Sequence, residues 1–136
     1  MFLKDSVATE AAGAALAKQV RAPAAVYLEG ALGAGKTTFA KGFLQGLGCE
    51  ILVKSPTFTL LETYVVSTTT VIHADFYRIK TPDELESMGF REYFQENNIL
   101  LIEWASRVEE WLPKPTFLCM LKPSVDRKGR WLEVIS

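Results

Sequence analysis

Residues 30–37 follow the pattern G-x-x-x-x-G-K-[ST] of a phosphate-binding loop. Three glycines allow the backbone to turn tightly, so that successive N–H groups can point at phosphate oxygens. Lys36 can then reach the β- and γ-phosphates of a nucleotide, and the hydroxyl of Thr37 can ligate Mg²⁺. The motif therefore predicts a nucleotide site in which Lys36 acts on the reacting phosphates. The predicted binding residues are consecutive: Gly30, Ala31, Leu32, Gly33, Ala34, Gly35, Lys36, Thr37 and Thr38.

Two carboxylates stand where they could complete such a site. Asp75 follows the apolar run 71–74, and Glu103 follows the apolar run 99–102. In nucleotide-binding α/β folds, the acids that hold Mg²⁺ or orient a water come from the carboxyl ends of neighbouring strands. We therefore expect Glu103 and Asp75 to be catalytic acids, with Glu103 and Thr37 serving the metal. The only histidine of the chain, His73, is interpreted as a hydrogen-bonded strand residue rather than a catalytic base.

Hydroxyl-bearing residues at Ser55, Thr57 and Thr59 follow the phosphate-loop helix. A segment in this position often senses the γ-phosphate in related proteins. From the residues alone, an ordinary loop whose hydroxyls form hydrogen bonds with nearby backbone is an equally good interpretation. Three arginines, Arg78, Arg91 and Arg107, could stabilise developing charge, but surface salt bridges are the favoured interpretation for them.

The elements around these residues predict a three-layer α/β domain with a mixed sheet, of the P-loop NTPase-like type. The apolar run 24–28 is typical of a buried strand, and the helix after the loop should end near Gly46 and Gly48. An alanine-rich helix capped by Ser6 should come first. The second half of the run 53–65 and the run 70–74, which ends at Asp75, are expected to form an antiparallel hairpin with a turn over 66–69.

The second half of the chain continues the alternation of helices and strands. Thr81 followed by proline and two acids is typical of a helix start. A short helical piece is expected over 90–94, a strand over 99–102 and a helix over 104–112. Two final strands, 116–121 and 131–135, should be joined by a polar turn.

Length and composition limit the classes of function. A chain of 136 residues is expected to form one domain, 1–136, and its net charge of −1 gives no sign of autonomous nucleic-acid binding. Cys49 and Cys119 lack the spacing of a metal site or redox motif. The sequence shows neither a signal peptide nor a run long enough to cross a membrane, so we expect a cytoplasmic protein.

Several motifs, in their order and spacing, resemble the TsaE (YjeE) family of bacterial ATPases of tRNA threonylcarbamoyladenosine biosynthesis. The resemblance covers nearly the whole chain. Its specific segments are 30–38, 54–60 (KSPTFTL), 73–78 (HADFYR), 83–89 (DELESMG) and 102–104 (IEW).

The resemblance implies a set of roles for individual residues. Lys36 and Thr37 match the phosphate and Mg²⁺ residues, and Thr57 and Thr59 fall in the switch-like segment. Asp75 matches the acid of the hairpin motif, Glu103 matches the acid tied to Mg²⁺ and hydrolysis, and Trp104 matches the aromatic residue beside it. At position 31 the family usually has Asp where this chain has alanine.

The resemblance also implies ATP and Mg²⁺ as cofactors and TsaD and TsaB as protein partners. Those partners install the threonylcarbamoyl group on the adenosine next to the anticodon, so contact with tRNA would be indirect. Two other classes of function are compatible with a phosphate loop: a small-molecule kinase and a GTP-dependent switch. The chain has no arginine-rich lid insert of a kinase and no Asn-Lys-x-Asp for reading guanine.

Overall fold

The structure, a computed structural model, describes residues 1–49 and 60–136. Within these ranges, the strands are β1 Phe2–Leu3, β2 Ala24–Glu29, β3 Leu61–Val66, β4 Thr69–Asp75, β5 Asn98–Glu103, β6 Phe117–Pro123 and β7 Arg130–Ile135. The helices are α1 Ser6–Ala17, α2 Lys36–Gly46 and α3 Pro82–Ser87, with 3₁₀-helices at Phe90–Tyr93 and Ala105–Val108. The predicted switch residues Ser55, Thr57 and Thr59 lie outside the described residues.

The strands form one mixed sheet in the order β1-β7-β6-β2-β5-β4-β3. Strand β2 is parallel to both β5 and β6, and β5 is parallel to β4. The hairpin β3–β4 and the strands β7 and β1 pair antiparallel at the two sides. The carboxyl ends of β2, β4 and β5 therefore meet at one edge of the sheet, with β2 at the centre as predicted.

Strict alternation along the central strands sends side chains into two separate cores. In β5, Ile99 and Leu101 pack on the side of α1 and α2, whereas Leu100 and Ile102 pack on the side of α3 and the two 3₁₀-helices. This burial on both faces explains why β5 is continuously apolar. The predicted three-layer arrangement is confirmed. Within the described part of the chain, no helix combines the length and the apolar composition needed to cross a membrane.

Close backbone packing sets the position of α2 and of the loop that precedes it. A β-carbon built at Gly42 would lie 2.6 Å from the carbonyl carbon of Glu10, and one built at Gly13 would lie 2.8 Å from the backbone nitrogen of Phe43. Since real β-carbons do not approach backbone this closely, glycines at these two positions allow α1 and α2 to pack at short range.

Three local predictions differ from the structure. Asp5 rather than Ser6 caps α1, because its Oδ1 accepts a hydrogen bond from the backbone N–H of Ala8 at 2.9 Å. The two-residue strand β1 was not predicted. The helix expected over 104–112 is a 3₁₀-helix followed by turns, which buries Val108 and Leu112 against the sheet as a helix would.

Candidate functional site

The predicted phosphate loop connects the end of β2 to the start of α2. Gly35 has φ +103° and directly precedes Lys36, the first residue of α2. Gly30 has φ +149°, and a β-carbon there would collide with the carbonyl oxygen of Leu121 on β6. The strand–loop–helix arrangement places backbone N–H groups and a helix N-terminus together, which is a site suited to an anion.

Lys36 is directed back at the loop and is 5% exposed. Its Nζ donates hydrogen bonds to the carbonyl oxygens of Gly30 at 2.6 Å and Ala31 at 2.8 Å. The same ammonium lies 4.5 Å from the centre of the Trp104 ring, within cation–π range. Trp104 therefore contacts the loop lysine, which gives a physical reason for an aromatic residue beside the acid.

Two opposing effects act on the Lys36 ammonium. Burial lowers the pKa of Lys36, because the charged form loses hydration. The nearby carboxylates of Glu103, Asp75 and Glu29 act in the opposite direction and favour the charged form. The loop thus holds the Lys36 ammonium in a partly desolvated cleft that also contains carboxylates. In such a cleft, the negative charge of a phosphate and the positive charge of a divalent cation would compensate each other.

Glu103 ends β5 and joins three elements of the site. Its carboxylate is 2% exposed and accepts a hydrogen bond from Thr37 Oγ1, at 3.0 Å to Oε1 and 3.2 Å to Oε2. On the other side, His73 Nε2 lies 2.8 Å from Glu103 Oε2. A buried carboxylate is stable only when such donors compensate its lost hydration, so Thr37 and His73 fix its position.

Asp75 ends β4 directly beside Glu103, its partner in the strand register. Its Oδ1 accepts a hydrogen bond from the backbone N–H of Tyr77 at 2.9 Å, which turns the chain away from the sheet. Burial raises the pKa of Asp75, the Tyr77 hydrogen bond opposes that shift, and the adjacent charge of Glu103 adds to it. The two predicted acids are therefore neighbours at the carboxyl edge of the sheet.

Trp104 has a left-handed backbone conformation, with φ +63°. Its N–H donates to the carbonyl oxygen of Leu28 at 3.1 Å, so the residue after Glu103 is tied to the phosphate-loop strand. Its ring contacts that of Tyr77 at 5.0 Å, and the Arg107 guanidinium lies over both rings. This aromatic stack forms one wall of the site.

These residues enclose a cleft of about 370 Å³ at the carboxyl edge of the sheet. Its lining residues are Ser6, Leu32, Gly33, Gly35, Lys36, Thr37, Thr38, Asp75, Tyr77, Glu103, Trp104 and Arg130. Of the predicted loop residues, Ala34 is buried, and Ala31 and Leu32 are exposed at the tip. The structure thus brings together the described residues that the sequence predicted for phosphate, metal and acid roles.

The donor set fits Mg²⁺ bound together with a phosphate. The described residues contain no cluster of three or more His, Cys, Asp or Glu side chains arranged to hold a metal ion. Mg²⁺, however, is usually held by one or two protein oxygens plus the phosphates of its nucleotide. Thr37 Oγ1 and the Glu103 carboxylate are oxygen donors of the right type, side by side at the N-terminus of α2.

Two residues of the site were not predicted from the sequence. His73 was interpreted as a satisfied strand histidine, but its partner is the candidate metal acid, and its Nδ1 has no hydrogen-bond partner among residues 1–49 and 60–136. Alternation from His73 to Asp75 would have placed both on one face. Arg130 follows a turn that looked purely structural, so no local signal connected it with the loop.

The three arginines considered in the sequence have different surroundings. Arg91 pairs with Glu86, as expected for a surface arginine. Arg107 contacts the rings of Tyr77 and Trp104, and no carboxylate of the described ranges lies within salt-bridge distance of it. Arg78 is exposed.

Comparison with known proteins identifies the family of the chain. The family model described as "Threonylcarbamoyl adenosine biosynthesis protein TsaE" matches residues 3–130. The proteins named tRNA threonylcarbamoyladenosine biosynthesis protein TsaE from Haemophilus influenzae and Bacillus subtilis are 50% identical over 93 residues and 46% identical over 99 residues. These matches cover 68% and 73% of this chain but only 59% and 61% of the two relatives.

A solved structure has the same architecture. The crystal structure of Bacillus subtilis YdiB matches with a TM-score of 0.78 and 30% identity, over 98% of this chain and 82% of YdiB. The three-layer P-loop NTPase-like fold predicted from the sequence is therefore confirmed. From the family match over residues 3–130 and the similarity of the fold, we conclude that the chain belongs to the TsaE family.

Proposed function

We propose that the chain is a single ATPase domain that binds and hydrolyses Mg-ATP in tRNA threonylcarbamoyladenosine biosynthesis, together with the proteins TsaD and TsaB. The observation that carries the proposal is the hydrogen bond from Thr37 Oγ1 to the buried Glu103 carboxylate. It joins the metal-binding hydroxyl of a phosphate loop to an acid at the end of the neighbouring strand. P-loop NTPases hold Mg²⁺ with such a pair, a loop hydroxyl and an acid from a neighbouring strand.

Each part of the proposed site has a chemical role. Backbone N–H groups of the loop and the N-terminus of α2 would bind the α- and β-phosphates, and Lys36 would meet the charge on the β- and γ-phosphates. Thr37 and Glu103 would hold Mg²⁺, which neutralises charge that develops on the phosphate oxygens. Asp75 stands beside Glu103 in the strand register and would orient a water or a metal-bound ligand.

The surroundings of Arg107 support the proposed dependence on partners. Phosphoryl transfer is often accelerated by a cation that reaches the γ-phosphate, worth about a thousandfold or more when a partner supplies it. In the described residues, the Arg107 guanidinium is engaged with the rings of Tyr77 and Trp104 instead. TsaD and TsaB are the proposed source of a group that accelerates ATP hydrolysis in this way. Contact with tRNA would occur through these partners.

The test is steady-state phosphate release from purified protein with saturating Mg-ATP, with and without the purified TsaB–TsaD pair. The wild-type rate should be low alone and rise with the pair. Glu103→Gln should keep ATP affinity but lose at least about 100-fold in turnover, since it removes the charge that serves metal and water. Lys36→Ala should lose tight ATP binding, because it removes the positive charge that would meet the β- and γ-phosphates.

Glu96→Gln is the matched control, because it makes the same change of charge at an exposed residue just before β5, at the opposite end of that strand. Wild-type turnover in Glu103→Gln would refute the role of Glu103 and make Asp75 the main acid. A fast basal rate that the pair does not change would refute partner dependence. ADP formation that requires an added small acceptor, without release of inorganic phosphate, would favour a kinase. A preference for GTP over ATP would favour a GTP-dependent switch.

A further inference from the structure

Arg130 is held at the carboxyl edge of the sheet by strand pairing on both sides. It is the first residue of β7, where its backbone pairs with Leu3 of β1 and with Pro123 of β6. Two residues later, Leu132 belongs to the core formed with α1 and α2. Because side chains alternate along a strand, Arg130 points to that same side, from which α2 and the phosphate loop approach the sheet edge.

The Arg130 side chain lies directly against the phosphate loop. A β-carbon built at Gly35 would collide with Arg130 Nη1 and would lie 3.1 Å from its Cδ and 3.3 Å from its Cζ. The guanidinium can reach this place only because position 35 has no side chain. Arg130 consequently lines the same cleft as Lys36, Thr37 and Thr38.

The guanidinium is not neutralised by a neighbouring acid. In the ranges that the structure describes, the ion pairs are Lys41–Glu10, His73–Glu103 and Arg91–Glu86, and none includes Arg130. The residue is half-buried rather than extended into solvent. An arginine has five N–H donors in a planar fork that matches phosphate oxygens, so a half-buried and unpaired guanidinium at a phosphate loop is suited to bind phosphate.

The order of the strands indicates which phosphates it would meet. Glu103 and Asp75 approach the loop from β5 and β4, on one side of β2, whereas Arg130 approaches from β7, on the other side. The acids belong with the metal at the β- and γ-phosphates, and the loop backbone holds the α- and β-phosphates. We infer that Arg130 binds the α- and β-phosphates of the nucleotide, from the side of the loop opposite the metal. This inference rests on the proposed nucleotide-binding function.

A contact at the α- and β-phosphates has a specific consequence for binding. ATP and ADP share these phosphates, so the loss of Arg130 should weaken the binding of both nucleotides by the same factor. The expected factor is about 10- to 150-fold, the range of one charge-assisted hydrogen bond. Turnover at saturating ATP should change less than threefold, because the contact is equal in the ground state and in the transition state.

The experiment compares the affinities of Mg-ATP and Mg-ADP, by calorimetry, for wild type, Arg130→Gln and Arg130→Met. The methionine variant keeps an unbranched stem against Gly35 and removes the charge, so it tests the inference if the glutamine variant folds poorly. Lys128→Gln is the matched control, because it removes one positive charge from an exposed residue of the turn just before Arg130. Its affinities should equal those of wild type.

Equal loss for ATP and ADP in the Arg130 variants, with Lys128→Gln unchanged, would support the inference. Loss for ATP alone, together with a large fall in turnover, would overturn it and place Arg130 at the γ-phosphate. Affinities equal to those of Lys128→Gln would overturn it while leaving the proposed function intact. Failure of wild type to bind either nucleotide would instead overturn the proposed function and, with it, this inference.

Discussion

The contact between His73 and Glu103 makes a quantitative prediction that separates activity from stability. His73 is fully buried, its Nε2 lies 2.8 Å from Glu103 Oε2, and its Nδ1 has no hydrogen-bond partner in the described part of the chain. The perturbation is His73→Leu, which keeps an apolar side chain in β4 but removes the donor to the carboxylate. Among the described residues, Thr37 then remains as the side-chain donor to Glu103.

Two terms of similar size act on stability in opposite directions. A hydrogen bond to a charged group contributes about 1.5–3 kcal/mol, which the variant loses. A buried polar atom without a partner costs about 1–3 kcal/mol, and the leucine removes that atom. The free energy of unfolding should therefore change by less than about 2 kcal/mol. Activity has no such compensation, because a less constrained Glu103 would hold the proposed metal or water less well. Turnover should therefore fall about 10- to 150-fold.

The assay combines urea unfolding with phosphate release at saturating Mg-ATP, in the presence of the TsaB–TsaD pair. His73→Gln is the informative companion, because its side-chain amide offers a donor at a position similar to imidazole Nε2. It should recover most of the turnover that His73→Leu loses. Wild-type turnover in His73→Leu would refute the positioning role. Equal loss of turnover in both variants, with a large loss of stability, would show that His73 acts through packing alone.

Two further predictions concern the scaffold. Gly42→Ala should destabilise the protein by about 1–3 kcal/mol in urea unfolding, because the new β-carbon would lie 2.6 Å from the Glu10 carbonyl carbon. This loss should outweigh the better helix propensity of alanine. Increased stability would show that α1 and α2 can separate without cost. Burial raises the pKa of the Cys119 thiol to about 12. In a Cys49→Ser background, this thiol should therefore resist Ellman's reagent at pH 8 until urea unfolds the protein. Rapid labelling in the native state would contradict the burial of Cys119.

The elements that position the site were predictable because their signals are local. The phosphate loop is contiguous, the strands before it and before Glu103 are short apolar runs, and the helix after Thr81 has a complete capping box. Each of these signals lies within about ten residues, which is the range over which backbone conformation follows side-chain chemistry. The helix predicted after Trp104 was wrong because a 3₁₀-helix followed by turns satisfies the same apolar spacing.

The sequence by itself determined that this chain has a phosphate loop, which residues form it, and which two acids could serve it. Only the tertiary structure decided which distant side chains meet there. Thr37 and Glu103 are 66 residues apart, and His73 and Glu103 are 30 apart. Arg130 reaches Gly35 through the pairing of β7 between β1 and β6. Strand order and register fix such contacts, and they depend on how separate apolar faces pack together, which no local spacing in the chain encodes.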